Sequence, residues 1–113
     1  MHEYSIVQAL LEQIEQLADE NKTSKVIKVV TKIGVMSGIE THLLQIAFET
    51  FKEKTICNDA EFIMQIQAVV IKCNICSEQS ELDKIHYHCH KCGSTDVTVI
   101  DGEDMFLMSL EME

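Results

Sequence analysis

Proline is absent from this chain of 113 residues, and no internal repeat or low-complexity tract interrupts it. Positive charge is scarce: nine Lys plus Arg stand against nineteen Asp plus Glu, a net charge of −10. Such a surface repels nucleic-acid phosphates and anionic lipid, which argues against polynucleotide or membrane partners. No apolar run is long enough to span a bilayer, and the N-terminus lacks the basic and apolar regions of a secretory signal. The expectation is a cytoplasmic protein whose thiols stay reduced, where metal binding outranks disulfides. Nothing resembles a phosphate-binding glycine loop, a nucleophile triad or a paired acid/base cleft, so no catalytic residue is assigned and the expectation is a non-enzyme.

What cysteine there is falls into a pattern. Cys73-Asn-Ile-Cys76 and Cys89-His-Lys-Cys92 are two paired knuckles separated by twelve residues. Two residues between thiolates let a tight turn aim both sulfurs at one point, and two such turns complete a tetrahedral S4 shell. Structural Zn(II) favours that geometry, and iron in a rubredoxin-like site is the competing metal. Cys57, in T-I-C-N, reads as a small buried hydrophobe. Two other functions use the same knuckles: a zinc-ribbon adaptor in transcription or translation, which needs a basic or aromatic groove, and a dithiol redox protein exchanging through one CxxC pair.

Around the knuckles the patterning is α+β. Ile6, Leu10, Ile14 and Leu17 share a helical face with Val7, Leu11 and Ala18, while Glu12, Glu15 and Asp19 point outward. This predicts a helix from Tyr4 to Glu20, terminated at Asn21. Lys25 to Val35 alternates as a strand, with Ile27, Val29, Ile33 and Val35 on one face and Lys28 and Lys32 on the other. Ser37 and Glu40 have the spacing of a capping box before a second helix. That helix carries Leu43, Leu44, Ala47, Phe48 and Phe51 along one stripe and ends near Lys54. A strand from Glu61 to Ile71, with Phe62, Met64, Ile66, Ala68 and Val70 inward, runs directly into Cys73. Val97 to Ile100 looks extended, Asp101-Gly102 signals a turn, and Met105 to Met112 is a last strand with Phe106, Met108 and Leu110 on one face. The simplest architecture is two helices on one face of a small three-stranded sheet, with a zinc ribbon inserted. The expected division is residues 1–71 and 96–113 as the α+β domain and residues 72–95 as the ribbon.

The opening M-H-E-Y-S-I places His2 and Glu3 beside the amine of Met1. A terminal amine, an ionised backbone amide and the His2 imidazole together chelate one square-planar ion, a geometry that Ni(II) and Cu(II) favour and Zn(II) does not. Glu3 also suits the positive end of the first helix.

These features together resemble the HypA/HybF family of nickel metallochaperones of hydrogenase maturation, which in some bacteria also serve urease. The resemblance covers nearly the whole chain in order: M-H-E-Y-S-I at the start, then Gly34, Ser37, Ile39, Glu40, Leu44 and Phe48, the paired knuckles, and Ser109-Leu110-Glu111 near the end. It implies Ni(II) as cargo held by Met1, His2 and Glu3, with Glu40 a nearby acidic contributor, and structural Zn(II) on Cys73, Cys76, Cys89 and Cys92. The implied partners are a GTPase of the nickel insertion system, the immature hydrogenase large subunit and a urease accessory protein. The sequence departs from the family pattern at Ser77 and Gly93, where family ribbons place a histidine just outside a knuckle. Its own histidines cluster instead at His86, His88 and His90, which read as a solvated hairpin surface, while His42, early in the second helix, reads as a surface residue.

Overall fold

The computed structural model describes residues 2–82 and 87–113, apart from the side chain of His2. The elements in order are α1 His2–Glu20, β1 Val26–Gly34, α2 Thr41–Phe51, β2 Glu61–Gln67, β3 Val69–Cys73, β4 Gln79–Leu82, β5 Val97–Asp101 and β6 Met105–Met112. They form two three-stranded sheets, ordered β2-β1-β6 and β4-β3-β5. Two compact units result. One comprises Met1–Lys32, Ile39–Gln65 and Phe106–Glu113; the other comprises Ile33–Gly38 and Ile66–Met105.

The first unit is built by the apolar stripe of α1. Val7, Leu10, Leu11, Ile14 and Ala18 are buried, while Ile6 and Leu17 are half-exposed at the stripe's edges. The helix ends in a Schellman turn, with the Thr23 amide donating to the Ala18 carbonyl at 2.9 Å and Lys22 in the left-handed region at φ 55. Asn21, the expected terminator, is the first residue past the helix and donates through Nδ2 to the Leu17 carbonyl at 2.7 Å. On α2, Leu44, Ala47 and Phe48 are buried, and Phe48 stacks on Phe62 of β2 with centroids 4.3 Å apart. Leu43, expected on that stripe, is exposed. Cys57 is fully buried, and burial pushes its thiol up to about 11, as expected of a small core hydrophobe.

The long strand expected over Glu61–Ile71 is two strands. β2 buries Phe62, whereas β3 buries Val69, Ile71 and Cys73, so the inward set changes from even to odd positions across Ala68. Side chains alternate strictly along a strand, and a single-residue break is enough to reverse the face. Ile66, expected inside, is exposed at the end of β2. In the second unit, β3 pairs antiparallel with both β4 and β5. Val69, Ile71 and Leu82 form its small core, with Val97 and Val99 packed against it.

Three backbone segments meet tightly in this second unit. Gly34 donates to the Asp104 carbonyl, Val35 to Gln67 and Met36 to Gly102, each at 2.9 Å. A Cβ on Gly34 would lie 2.2 Å from the Gly102 carbonyl carbon, so no other residue fits there without moving backbone. Val35, expected inward, is exposed because β1 ends at Gly34. On β6, Phe106 and Met108 lie on the exposed face, with the Lys32 ammonium 5.4 Å above the Phe106 ring.

Candidate metal centre

The two knuckles are near-copies in backbone. In the first, the Cys73 sulfur accepts from the amides of Ile75 at 3.4 Å and Cys76 at 3.5 Å. In the second, the Cys89 sulfur accepts from Lys91 at 3.3 Å and Cys92 at 3.5 Å. Each turn closes when the residue after its second cysteine donates back to the first: Ser77 to Cys73 at 3.0 Å and Gly93 to Cys89 at 2.9 Å. That closing residue must be left-handed, and Ser77 has φ 65 and Gly93 φ 73. Asn74, unremarked in the sequence, ties the first knuckle to the chain after the second. Its amide donates to the Asp96 carbonyl at 2.9 Å, and its Nδ2 donates to Asp96 Oδ1 at 3.0 Å and Thr98 Oγ1 at 3.1 Å.

The result is a preassembled shell. The sulfurs of Cys73, Cys76, Cys89 and Cys92 all lie within 4.8 Å of one another. Contacts of 3.5 Å run across the knuckles, Cys73 to Cys92 and Cys76 to Cys89. A tetrahedron with metal–sulfur bonds of ~2.3 Å has edges of roughly 3.8 Å, so the four sulfurs fit one tetrahedral ion. Charge tells the same story. The amides of Cys92 and Lys91 lower the Cys89 thiol to about 6, and the Cys76 amide leads in lowering Cys73. Cys92 is pushed up to about 12: the Ser94 amide acts to lower it, but neighbouring Cys73 and burial prevail. Four thiolates this close repel one another until a cation sits among them.

At the other end of the chain, the structure brings Glu3 and Glu40 together. Glu3 is buried, only 5 % exposed. Its Oε2 accepts the Glu40 amide at 3.1 Å, joining the first turn of α1 to the start of α2. Its pKa falls to about 2, lowered first by the chain's terminal amino group and then by the Glu40 amide. Glu40 is itself the N-cap of α2, its Oε1 accepting the His42 amide at 2.9 Å. The expected Ser37–Glu40 capping box is thus replaced: the helix begins at Thr41, so the cap falls on Glu40. Met1 and the His2 side chain lie outside the described residues. The backbone of His2 opens α1, where helix geometry gives an amide no acceptor four residues back. His42, His88 and His90 are exposed, the last two with ring centroids 6.1 Å apart, whereas His86 lies outside the described residues.

The fold and the thiol cluster define a small α+β protein with a preformed four-cysteine metal site, and among the described residues no helix is long and apolar enough to cross a membrane. A family model described as hydrogenase/urease nickel incorporation, metallochaperone, hypA matches residues 1–112. The chain belongs to this HypA family of nickel metallochaperones in hydrogenase maturation. It is 52% identical over 113 residues to the hydrogenase maturation factor HypA of Aquifex aeolicus, covering 100% of this chain and 98% of that one. To the HypA of Shewanella oneidensis it is 54% identical, covering 100% and 96%. The solution structure of the Ni metallochaperone HypA from Helicobacter pylori superposes with a TM-score of 0.71 at 36% identity, covering 97% of this chain and 96% of that one.

Proposed function

We propose that this protein carries Ni(II) at its N-terminus to the maturation machinery of nickel enzymes and holds Zn(II) structurally in its knuckles. The family match along the whole chain carries this reading, supported by the anchoring of the first helical turn through Glu3. The nickel ligands are the Met1 amine, the His2 imidazole and the His2 amide, the last lying at the helix start where intrahelical bonding makes no demand on it. Glu3 and Glu40 complete the site from beside it, Glu3 by fixing the terminus against the start of α2. Cys73, Cys76, Cys89 and Cys92 are the zinc ligands.

Delivery proceeds by ligand exchange. A site made chiefly of main-chain and imidazole nitrogens selects nickel by planar geometry and releases it when a partner supplies competing ligands. The recipients are a GTPase of the nickel insertion system and the immature hydrogenase large subunit, with a urease accessory protein as a further client. The protein acts by binding and transfer in the cytoplasm, without catalysis. Calorimetric titration of Ni(II) into the tag-free protein tests the assignment. One ion per chain should bind, releasing protons as the amide ionises. His2→Ala, or residues added before Met1, should abolish that binding without loss of zinc. Unchanged one-to-one affinity in both variants would move nickel elsewhere.

A further inference from the structure

Among the large apolar side chains of the second unit that stand in solvent are Ile66 at 57 % exposed, Val35 at 53 %, Ile100 at 47 % and Met36 at 44 %. Backbone hydrogen bonds bring their three segments side by side. Val35 donates its amide to Gln67, adjacent to Ile66, and Met36 donates to Gly102, two residues beyond Ile100. The unit's own core has no use for them. Val97 and Val99 of β5 pack on the Val69–Ile71–Leu82 cluster, while Ile100 is left exposed at an irregularity in the β3–β5 register, where Val70 lies opposite Asp101 and Ile71 opposite Val99. The Gly34–Gly102 approach fixes the seam, because neither backbone has room to yield. Single exposed apolar residues are ordinary, but a rigid group of four marks an interaction surface.

The charge beside the seam selects among occupants. Asp101, Glu103 and Asp104 occupy the turn that carries Gly102, and Glu103 and Asp104 are exposed. No lysine or arginine occurs in residues 33–38, 66–71 or 92–105. An apolar centre with an acidic rim complements apolar residues flanked by lysine or arginine. Phosphate-bearing surfaces are repelled by the rim, and a symmetric second copy would set one acidic turn against another. We propose that the seam of Val35, Met36, Ile66 and Ile100, with its Asp101–Asp104 rim, docks a basic, apolar segment of a protein partner. The proposal rests on the nickel-transfer reading only for the partner's role, since the surface itself belongs to the second unit.

The test uses the full, zinc-replete chain and two short amphipathic probe peptides, one of leucine and lysine, the other of leucine and glutamate. Amide shifts on adding the lysine peptide should map to residues 35–36, 66–67 and 100–104. Its affinity should fall roughly tenfold in the Met36→Ser/Ile100→Ser variant, whose changes lie on exposed positions. Glu103→Lys/Asp104→Lys should reverse the preference between the two peptides. Binding unaffected by the serine changes, a footprint confined to the acidic face of α1, or a dimer of the wild type that the serine changes dissolve would each overturn the proposal. Nickel calorimetry on the serine variant should match wild type. A wild type that binds no nickel would defeat the transfer reading while leaving the docking result to stand on its own.

Discussion

The four-cysteine cluster and the N-terminal turn, proposed as the zinc and nickel sites, are built in opposite ways. The cluster is assembled by local backbone: two copies of one turn, each with amide-to-sulfur hydrogen bonds, and Asn74 tying the first copy to Asp96 and to Thr98 of β5. All four donors are in place in the polypeptide itself. The N-terminal turn relies on the end of the chain and is steadied by a long-range contact, from the Glu40 amide to the Glu3 carboxylate across 37 positions of sequence. A shell closed on every side retains its ion, and a site with few side-chain ligands gives one up. On the proposed function, the contrast teaches that retention and transfer need different scaffolds, with one small chain carrying both.

The largest way to break the comparison is to open the closed shell. Cys73→Ser should strip the metal and unfold the region around β3, β4 and β5, because structural zinc contributes on the order of 10 kcal/mol. Resonances of α1 and α2 should persist, and metal analysis with amide spectra will show whether they do. Gly34→Ala should come next, since its methyl would meet Gly102 backbone at 2.2 Å. We expect a loss of about 3 kcal/mol in urea unfolding, typical of a clash with backbone that cannot retreat.

A smaller effect sharpens the account of the N-terminal turn. Glu3 is lowered from 4.5 to about 2 in the folded chain. A depressed carboxylate stabilises the fold above its unfolded pKa, and that contribution drains away as pH falls through the folded value. Stability should therefore decline between pH 4.5 and about 2, and Glu3→Gln should flatten this part of the profile. Denaturant midpoints across that range provide the check. The smallest effect runs the other way. Ser77 adopts φ 65 where the matching position of the second knuckle is Gly93. Ser77→Gly should stabilise the protein by up to about 1 kcal/mol, measured by thermal unfolding with zinc bound.

These experiments fall on features that differ in how readable they were. The knuckles were legible because cysteine spacing states the geometry directly, and α1 and β6 because apolar period and turn residues agreed. The reversal at Ala68 was not legible: E-F-I-M-Q-I-Q-A-V-V-I-K is apolar on both phases, so alternation alone could not say where one strand stops. The cap of α2 went to Glu40 because Glu3, remote in sequence, took its amide, a contact that spacing near Ser37 does not encode. The Gly34–Gly102 approach was equally hidden, since a glycine's need for a bare backbone depends on what arrives from elsewhere. Local chemistry was readable; long-range contacts were not.

The central claim is the division of labour between the two ends, and X-ray absorption on one sample addresses it at both metals. Protein purified with zinc and given one equivalent of Ni(II) should show a zinc edge with four sulfurs near ~2.3 Å, unchanged by nickel. Its nickel edge should show a planar shell of nitrogen and oxygen with no sulfur. Sulfur at the nickel edge, with zinc displaced in proportion, would contradict the account and make the knuckles the nickel site.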